Sequence, residues 1–251
     1  MKKVAIVTGG AGGIGAATCR ALAAEGLAVA VLDVDAAGAA RVAGEISMGA
    51  GAAHAVVCDV GNRASVEAAI ADVSKLGQVS VLVNNAGIGG PFHRVDEVTD
   101  EEWDRIVATN LKSVFLFARA LLPGMKARGH GRVVNIASVQ GIVGAARSST
   151  YAATKHGMLG YTKSIAAEWG AYGITCNAIC PGYVDTTMGA GPSKKVDAYL
   201  ERVLERTPVG RVARPEEIAA LVVYLTGPSA GYVNGASFVV DGGLTAHSAI
   251  T

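Results

Sequence analysis

The stretch "VAIVTGGAGGIGAATC" (residues 4–19) joins a short apolar run to a glycine-rich turn and then to an alanine-rich segment with helical spacing. The run predicts a buried β-strand, Gly9 opens the turn, and Gly13, Ile14 and Gly15 would enter the helix. Glycine lets the backbone approach a ligand closely, and free N–H groups and the dipole at a helix start favour an anion. The stretch therefore predicts a pyrophosphate site after the first strand of an α/β fold.

The rest of the chain repeats this alternation of short β-branched runs and longer alanine-rich segments. Further strand candidates are "LAVAVLD" (27–33), "HAVVCD" (54–59), "VSVLVN" (79–84), "GRVVNIAS" (131–138), "GITCNAI" (173–179) and "ASFVVDGG" (236–243). Because most of these runs are apolar nearly throughout, they suit parallel strands covered by helices on both faces. We predict one doubly wound parallel sheet of about seven strands, in a single domain over residues 1–251.

Composition narrows the classes of function. The chain has 251 residues, of which 51% are apolar and 17% charged, enough for one substantial core. Its 22 basic and 21 acidic residues leave a formal net charge of +1, so no broad attraction to nucleic acid or to an anionic membrane is expected. The apolar run of the opening "MKKVAIVTGG" is too short for a signal-peptide core or a membrane span, which favours a cytoplasmic protein.

Cysteine spacing points to neither disulfides nor a metal centre. Cys19, Cys58, Cys176 and Cys180 form no CxxC motif, and the five histidines are scattered. We expect four buried thiols and no metal site.

An acidic residue marks the end of the second predicted strand. Asp33, in "VLDVD" (31–35), lies where a Rossmann-type domain hydrogen-bonds the adenosine ribose of a dinucleotide. A carboxylate there repels a 2′-phosphate, and Gly12 in the glycine turn brings no compensating positive charge. Both positions favour NAD over NADP, whereas Asp35 suits a solvated loop.

Tyr151 and Lys155, in "YAATK" (151–155), are four positions apart and would share one helix face. That spacing alone is typical of many solvated helices. The chain also carries other motifs in a fixed order, namely "TGGAGGIG" (8–15), "NNAG" (84–87), Asn110, Ser138 and "PGYVDT" (181–186). Together they resemble the short-chain dehydrogenase/reductase family, and the resemblance runs from the first strand to "VNGASFVVDGG".

The resemblance implies hydride transfer between a nicotinamide cofactor and a secondary alcohol or ketone, with Tyr151 as the general acid/base. A free phenol has a pKa of about 10, and Lys155, with the positive nicotinamide of the oxidised cofactor, would lower it toward working pH. The lysine would also hold the nicotinamide ribose. Ser138 would hydrogen-bond the substrate oxygen, and Asn110 would position a water that links Lys155 to bulk solvent.

By the same resemblance, Asn84, Ala86 and Gly87 of "NNAG" would shape the floor beneath adenosine and stabilise the central sheet. Asp59 would meet the adenine ring, while Val184 and Thr186 would contact the nicotinamide carboxamide and fix the ring face that offers its hydride. The implied NAD-binding residues are Gly9, Gly13, Ile14, Gly15, Asp33, Asp59, Val60, Asn85, Ala86, Gly87, Tyr151, Lys155, Pro181, Gly182, Val184 and Thr186.

An excursion between Gly182 and Pro215 interrupts the alternation of strands and helices. Because it follows the carboxyl end of a strand, where ligands bind in α/β sheets, we expect a mobile substrate lid with a short helix at 187–214. The candidate pocket residues are mostly small or apolar and suggest a modest hydrophobic alcohol or ketone. They are Gly89, Gly90, Gln140, Ile142, Val143, Tyr183 and the lid residues from Met188 to Arg206.

Several activities fit these residues. The first is an NAD-dependent secondary-alcohol dehydrogenase. A 3-oxoacyl-thioester reductase, which the sequence also resembles, usually uses NADP, against which Asp33 argues. A 3-hydroxybutyrate-type dehydrogenase is suggested by "NAICPGYVDT" (177–186); Ser148 brings no cation for its carboxylate, although the adjacent Arg147 could compensate. The complete catalytic set disfavours a non-catalytic dinucleotide sensor on the same fold, and the chain lacks the length of a sugar-nucleotide epimerase.

Two segments, 101–127 and 150–170, carry apolar residues on more of their circumference than one sheet face would cover. This pattern suggests helix pairing between subunits, and the family resemblance implies a homotetramer. The residues concerned are Trp103, Phe115, Phe117, Met158, Leu159 and Trp169.

Overall fold

The computed structural model describes residues 2–49, 51–186 and 194–246. Seven parallel strands form one sheet in the order β3-β2-β1-β4-β5-β6-β7. The strands are β1 (Lys3–Thr8), β2 (Ala28–Asp33), β3 (Ala52–Val57), β4 (Gln78–Asn84), β5 (Gly131–Ile136), β6 (Ile174–Pro181) and β7 (Ser237–Val240). The predicted doubly wound parallel sheet is confirmed.

Helices cover the sheet on both faces. They are α1 (Gly13–Ala24), α2 (Ala36–Met48), α3 (Arg63–Val73), α4 (Asp100–Val107), α5 (Ser113–Ala127), α6 (Ser149–Trp169), α7 (Lys194–Glu205) and α8 (Pro215–Thr226). Helices α3, α5 and α6 contribute to one core cluster, and α1, α2 and α8 contribute to the other. Along β1, Val4 and Ile6 belong to the first cluster, Ala5 and Val7 to the second, and all four side chains are fully buried. Burial on both faces explains why this strand is apolar throughout.

Strand β3 departs from the prediction in position and pattern. It begins two residues earlier than the sequence suggested and ends at Val57. Of its six residues only Val56 is buried, and His54 is exposed. The reason is its place at the edge of the sheet, where it pairs only with β2. The polar end of the predicted run, Cys58 and Asp59, lies in the loop after the strand.

The strand order reverses between β1 and β4, so the loops that follow these two neighbours open a crevice at the carboxyl edge of the sheet. The Thr8 hydroxyl ties the two loops together. It accepts hydrogen bonds from the backbone N–H groups of Asn85 and Ala86, both at 3.0 Å, and donates to the Val83 carbonyl at 3.4 Å. The glycine turn after β1 therefore lies in a fixed position against the "NNAG" loop after β4.

Helices α4 and α5 join through a π-helical turn at 108–112 into one helical stretch, Asp100–Ala127. By length and composition this stretch could cross a membrane, but half of its apolar window is buried inside the fold. Its inward side chains include Ile106, Leu116 and Phe117, each no more than 3% exposed. Core packing accounts for the apolar composition of the stretch.

The same burial corrects part of the argument for subunit contacts. Phe117, Met158 and Leu159 are buried inside this chain, so they offer nothing to a second subunit. Trp103 and Phe115 do remain exposed, at 45% and 40%. Periodicity alone could not separate the two groups, because α5 and α6 pack against other helices of the chain as well as against the sheet.

All four cysteines are free and buried, as predicted. Burial raises the pKa of the Cys19 and Cys176 thiols to about 12, so both are uncharged at neutral pH. They contribute to the core as small apolar side chains.

A chain of buried polar side chains links the middle of the sheet to α6. The Asn84 amide donates to Asn135 Oδ1 at 2.8 Å, and the Asn135 amide donates to Thr162 Oγ1 at 2.8 Å. Thr162 in turn donates to the carbonyl of Met158. Both side-chain polar groups of Asn135 and the Thr162 hydroxyl therefore have partners, which is the condition for burying them without a large penalty.

We expect Thr162→Val to lower the free energy of unfolding by about 1 to 3 kcal/mol, because the variant removes the acceptor of the buried Asn135 amide. Thr18→Val is the matched control. Both threonines are fully buried, but the Thr18 hydroxyl has no hydrogen-bond partner within the described ranges. Its replacement should be neutral or stabilising. Urea unfolding at one protein concentration measures both variants, and equal losses would contradict the role given to Thr162.

Candidate active site

The glycine turn is packed tightly on its inner side and open on its outer side. A Cβ atom at Gly15 would collide with the Gly9 carbonyl oxygen, whereas one at Gly12 would meet nothing within 4 Å. Helix α1 begins at Gly13, as predicted, with no side-chain cap and no acid in its first turn. Its start therefore keeps a positive field and an unobstructed approach, which fits a pyrophosphate group.

Asp33 ends β2 and is fixed beside this turn. One carboxylate oxygen accepts a hydrogen bond from the Ala11 backbone N–H and the other from the Asp35 N–H, both at 3.0 Å. A carboxylate can accept more than these two bonds, so Asp33 retains capacity for ribose hydroxyls. Asp35 caps α2 instead, by accepting from the Gly38 N–H at 3.0 Å.

Arg41 brings a positive charge to the turn that the sequence argument did not foresee. Its guanidinium donates to the Ala11 carbonyl at 2.8 Å, although the two residues are 30 positions apart. The same guanidinium pairs with Glu45, which also binds Arg20 at 2.6 Å. Hydrogen bonds from these two arginines lower the pKa of Glu45. The only sequence signal was the i,i+4 spacing of Arg41 and Glu45, which is common on helix surfaces.

A cleft of about 410 Å³ opens beside the glycine turn. Helices α1 and α2, the loop after β6 and the start of α8 enclose it. It is lined by Gly12, Gly13, Ala16, Arg20, Arg41, Asp185, Thr186, Pro215 and Glu216.

The two asparagines of "NNAG" have different tasks. Asn84 lies in the sheet and bonds to Asn135, which supports the stabilising role that the resemblance implied. The Asn85 amide donates to the carbonyl oxygens of Thr8 and Gly9 at 2.9 and 3.0 Å. Asn85 thus fixes the glycine turn from below with its side chain.

Asn110 lies in the π-helical turn and is fully buried. Its side-chain oxygen accepts from the Ile88 N–H at 2.8 Å, and its amide donates to the Ile88 carbonyl at 2.9 Å and to Thr154 Oγ1 at 3.4 Å. A Cβ atom at Gly87 would lie 3.4 Å from this side-chain oxygen. Asn110 therefore fixes the loop after β4, and the expected hydrogen-bond partners of its buried amide are present.

Ser138, Tyr151 and Lys155 come together above the ends of β4 and β5. Ser138 follows β5, and its side chain hydrogen-bonds the Tyr151 phenol. The Lys155 ammonium nitrogen lies 5.5 Å from the centre of the Tyr151 ring and donates to the Ile136 carbonyl at 2.8 Å. The structure thus brings these predicted side chains into one cluster.

Burial sets the pKa values of this cluster. It raises the pKa of the Tyr151 phenol, and the hydrogen bond from Ser138 opposes that rise only in part. Burial also lowers the pKa of Lys155 to about 8. The upward shift of the Tyr151 pKa has desolvation as its largest cause. The expectation that Lys155 and the positive nicotinamide of the oxidised cofactor together lower this pKa stays a prediction about the enzyme with its cofactor bound.

The "PGYVDT" loop returns to the glycine turn across the crevice. Pro181 ends β6, and the Gly182 N–H donates to a β7 carbonyl at 2.9 Å. Val184 pairs with the chain just before α8. The Thr186 methyl carbon lies 2.8 Å from the Cβ position of Gly13, so any side chain larger than hydrogen would clash there.

Asp59 and Val60, two other residues predicted to contact the cofactor, differ in whether their side chains can reach it. Asp59 is exposed, and one of its oxygens accepts from the Gly61 N–H at 2.9 Å. Val60 is 6% exposed and belongs to the core cluster of α3, α5 and α6. Its side chain therefore lies outside the site, and only its backbone could contact a ligand.

The residues predicted to contact the substrate include both hydrogen-bonded polar side chains and exposed apolar ones. Gln140 accepts from the Ser148 hydroxyl at 2.7 Å, and its N–H donates to Ser138 Oγ at 3.1 Å. Ile142 and Val143 are exposed at 40% and 43%. Gly89 and Gly90 follow the "NNAG" loop, Tyr183 is half-buried, and Met188 lies outside the described residues.

A second, small cleft lies against Tyr151 and shows residues that the sequence argument missed. His93 and Thr150 line it, as does Arg147. The full lining set is Gly90, Pro91, His93, Val98, Arg147, Ser148, Ser149, Thr150 and Tyr151. No sequence motif marks His93, whose position depends on the path of the irregular loop after β4.

Comparison with known proteins agrees with this geometry. A family model described as "Enoyl-(Acyl carrier protein) reductase" matches residues 9–245. The chain is 39% identical to 2-(S)-hydroxypropyl-CoM dehydrogenase 3 of Xanthobacter autotrophicus, over 97% of each chain. It is 42% identical to acetoacetyl-CoA reductase of Rhizobium meliloti, over 97% of this chain and 98% of the relative.

A solved structure of an actinorhodin polyketide ketoreductase variant with NADPH superimposes with a TM-score of 0.90, at 38% identity and 98% coverage of both chains. Full-length similarity to these proteins, together with the glycine turn and the cluster of Ser138, Tyr151 and Lys155, sets the class of chemistry. The chain belongs to the short-chain dehydrogenase/reductase family, oxidoreductases that bind a nicotinamide cofactor and act on secondary alcohols and ketones.

Proposed function

We propose that this enzyme is an NAD(H)-dependent dehydrogenase that interconverts a secondary alcohol and a ketone, with Tyr151 as its acid/base. The observation that carries the proposal is the half-buried Tyr151 side chain, whose phenol is hydrogen-bonded by Ser138 and flanked by Lys155 at the carboxyl edge of the sheet. A phenol with one polar partner and an amine nearby is equipped to move a proton at a substrate oxygen.

The cofactor site fits a dinucleotide. The uncapped start of α1 would bind the pyrophosphate, and the Asp33 carboxylate would accept from the adenosine ribose hydroxyls. Lys155, Val184 and Thr186 would hold the nicotinamide half. When bound, NAD accepts or returns the hydride, and the protein orients the reacting carbon. The Asp33 carboxylate supports NAD over NADP. A cation at this turn would favour the extra phosphate of NADP, but the Arg41 guanidinium is engaged with Glu45 and the Ala11 carbonyl.

The Tyr151 phenol donates its proton to the ketone oxygen during reduction, while Ser138 hydrogen-bonds the same oxygen. Burial raises the pKa of Tyr151, so the phenol is protonated at neutral pH and ready for reduction. Alcohol oxidation needs the phenolate, and its rate should therefore rise with pH. Reduction should lose rate as the phenol ionises.

Lys155 and Asn110 act behind the phenol. The Lys155 amine is buried and aligned by the Ile136 carbonyl. Asn110 Oδ1 uses one lone pair on the Ile88 N–H, and its second lone pair can bind the relay water that the family resemblance implies. Asn110 thus positions the loop after β4 and would also hold the water through which protons pass between Lys155 and solvent.

One alternative has a specific observation in its favour. Similarity to an acetoacetyl-CoA reductase favours a 3-oxoacyl-thioester reductase. Such reductases usually use NADP, and the Asp33 carboxylate would repel the extra phosphate. The cofactor experiment below therefore also separates these two activities.

The excursion after β6 is part of the proposal as a substrate lid, over residues 187–214 of a single-domain enzyme. Its predicted short helix is present as α7. Hydrogen bonds at Ala213 and Val209 fix its far side to the loop after β6 and to Gly242. Residues 187–193 lie outside the described part of the chain.

We expect Tyr151→Phe to abolish nearly all turnover while NADH still binds, because the variant removes only the ionisable oxygen. Tyr161→Phe, also on α6 and packed against the core, is the matched control and should retain activity. Steady-state kinetics and NADH fluorescence titration measure the two effects. Activity of Tyr151→Phe within about tenfold of wild type, or about 1.4 kcal/mol of barrier, would remove Tyr151 from the acid/base role. Lys155→Ala should reduce both turnover and cofactor affinity.

Asp33 should set the choice of cofactor. Its hydrogen bonds to the ribose are charge-assisted and contribute about 1.5 to 3 kcal/mol, which NADP would lose while adding a repelled phosphate. We expect the wild type to prefer NAD in kcat/KM by at least about a hundredfold, equivalent to about 2.7 kcal/mol. Asp33→Ser combined with Val34→Arg should narrow or reverse this preference.

Asp35→Ser is the control for the cofactor experiment. Serine can still cap α2, and Asp35 lies outside the proposed ribose contact. Its preference for NAD should match the wild type. Equal or better use of NADP by the wild type, with one accepted substrate, would refute the role of Asp33.

The proposed enzyme is a cytoplasmic homotetramer that uses the exposed side of α4 and α5 for a subunit contact. We expect Trp103→Lys with Phe115→Lys to yield a smaller species in light scattering at micromolar concentration, with an unchanged circular dichroism spectrum. Met48→Lys alters an apolar side chain that is 84% exposed on α2 and should leave the tetramer intact. A monomeric wild type would contradict the assembly.

A further inference from the structure

Backbone strain in the described residues is concentrated beside the small cleft at Tyr151. Phe92 and Arg147 are the non-glycine residues there with positive φ, at 57° and 62°. Arg147 lines the cleft, and Phe92 lies between two residues that line it, Pro91 and His93. A side chain in the left-handed region is strained, and such strain persists mainly where function requires the position. Glycine or asparagine would be less strained at position 147, yet the residue there is an arginine, with a long, positively charged side chain.

The charge of this cleft is positive. Arg147 is exposed and forms no ion pair with any residue in the described ranges. No aspartate or glutamate is among the residues that line the cleft. One acid contacts a residue that lines the cleft: a side-chain oxygen of Glu102 of α4 lies 3.4 Å from His93 Nδ1. That acid also accepts from the Thr99 N–H, so it belongs to the cap of α4.

Two further groups in the cleft favour an anion. Thr150 is 3% exposed, and its hydroxyl has no hydrogen-bond partner in the part of the chain that the structure describes. The start of α6 carries no side-chain cap, because the Ser148 hydroxyl donates to Gln140 instead. A helix start favours negative charge, and a buried hydroxyl without a partner can donate to it.

We propose that the substrate carries an acidic group, which Arg147 binds at the mouth of the Tyr151 cleft. This inference rests on the dehydrogenase function proposed above and narrows its substrate to a small hydroxy acid or the corresponding oxo acid. Arg147 and Tyr151 both line this cleft, so one small molecule at the cleft can contact both. In a thioester the carboxyl group is neutral, so Arg147 separates this substrate from the 3-oxoacyl alternative.

The test compares acids with neutral molecules of the same shape. The probes are straight-chain hydroxy acids whose carboxylate lies one, two or three carbons from the carbinol carbon, each with its primary amide. We expect the wild type to prefer at least one acid over its amide by about thirtyfold in kcat/KM, since a charge-assisted bond is lost in the amide. Arg147→Asn should reduce that preference to near unity.

Asparagine tolerates the left-handed backbone, so Arg147→Asn removes the charge without adding strain. Its effect should fall mainly on KM for the acid, and kcat/KM for the amide should stay within about threefold of wild type. Arg147→Lys should restore part of the preference, because lysine keeps the charge but not the paired donors of arginine. Arg94→Asn removes a cation next to His93 that does not line the cleft, and it should change nothing.

The outcomes are distinguishable. A wild type without preference for any acid, or an Arg147→Asn variant that loses acid and amide equally, overturns the inference about Arg147 alone. A wild type that oxidises none of the acids, amides or neutral secondary alcohols with NAD or NADP overturns the proposed function, and this inference falls with it.

Discussion

The junction between β1 and β4 is the contact on which the site depends. The Thr8 hydroxyl accepts two backbone N–H groups from the loop after β4, and the Asn85 amide returns two bonds to the backbone of Thr8 and Gly9. Side chains make these four bonds, and every partner is a backbone atom, so the two loops are fixed as one unit. The glycine turn is thereby positioned before any ligand arrives, which reduces the ordering cost of binding.

From this junction a continuous path of hydrogen bonds and close contacts reaches the catalytic cluster. The "NNAG" loop continues to Ile88, whose backbone is bound by Asn110. Asn110 bonds to Thr154, and Thr154 donates to the carbonyl of Tyr151. The dinucleotide half and the acid/base half of the site therefore share one rigid support. The π-helical turn matters here because Asn110 lies within it.

Prediction from the sequence succeeded where the physical constraint on an element, such as burial, also determines the residue types along it. Apolar runs predicted the central strands, since burial on both faces imposes that composition, and the glycine turn predicted the start of α1. It failed where the cause lies far along the chain. Arg41 reaches Ala11 from 30 positions away, and the acceptor of Lys155 is a backbone carbonyl that any residue at 136 would supply. The apolar residues of α5 and α6 predicted that these faces are buried, but not whether the same chain or a second subunit covers them.

The cofactor half and the substrate half of the site differ in how well they can be predicted from residue types. The cofactor half uses backbone groups, helix ends and one carboxylate, which demand particular residues at particular spacings. The substrate half is formed by side chains on irregular loops, such as Ile142, Val143 and Arg147, where many residues satisfy the backbone. There, composition suggested an apolar ligand, because most of the side chains are apolar. Backbone conformation leads to a different inference. Arg147 is a cation of the substrate half with a positive φ of 62°, and strain of this kind concentrates at ligand sites, which favours the acidic substrate proposed above.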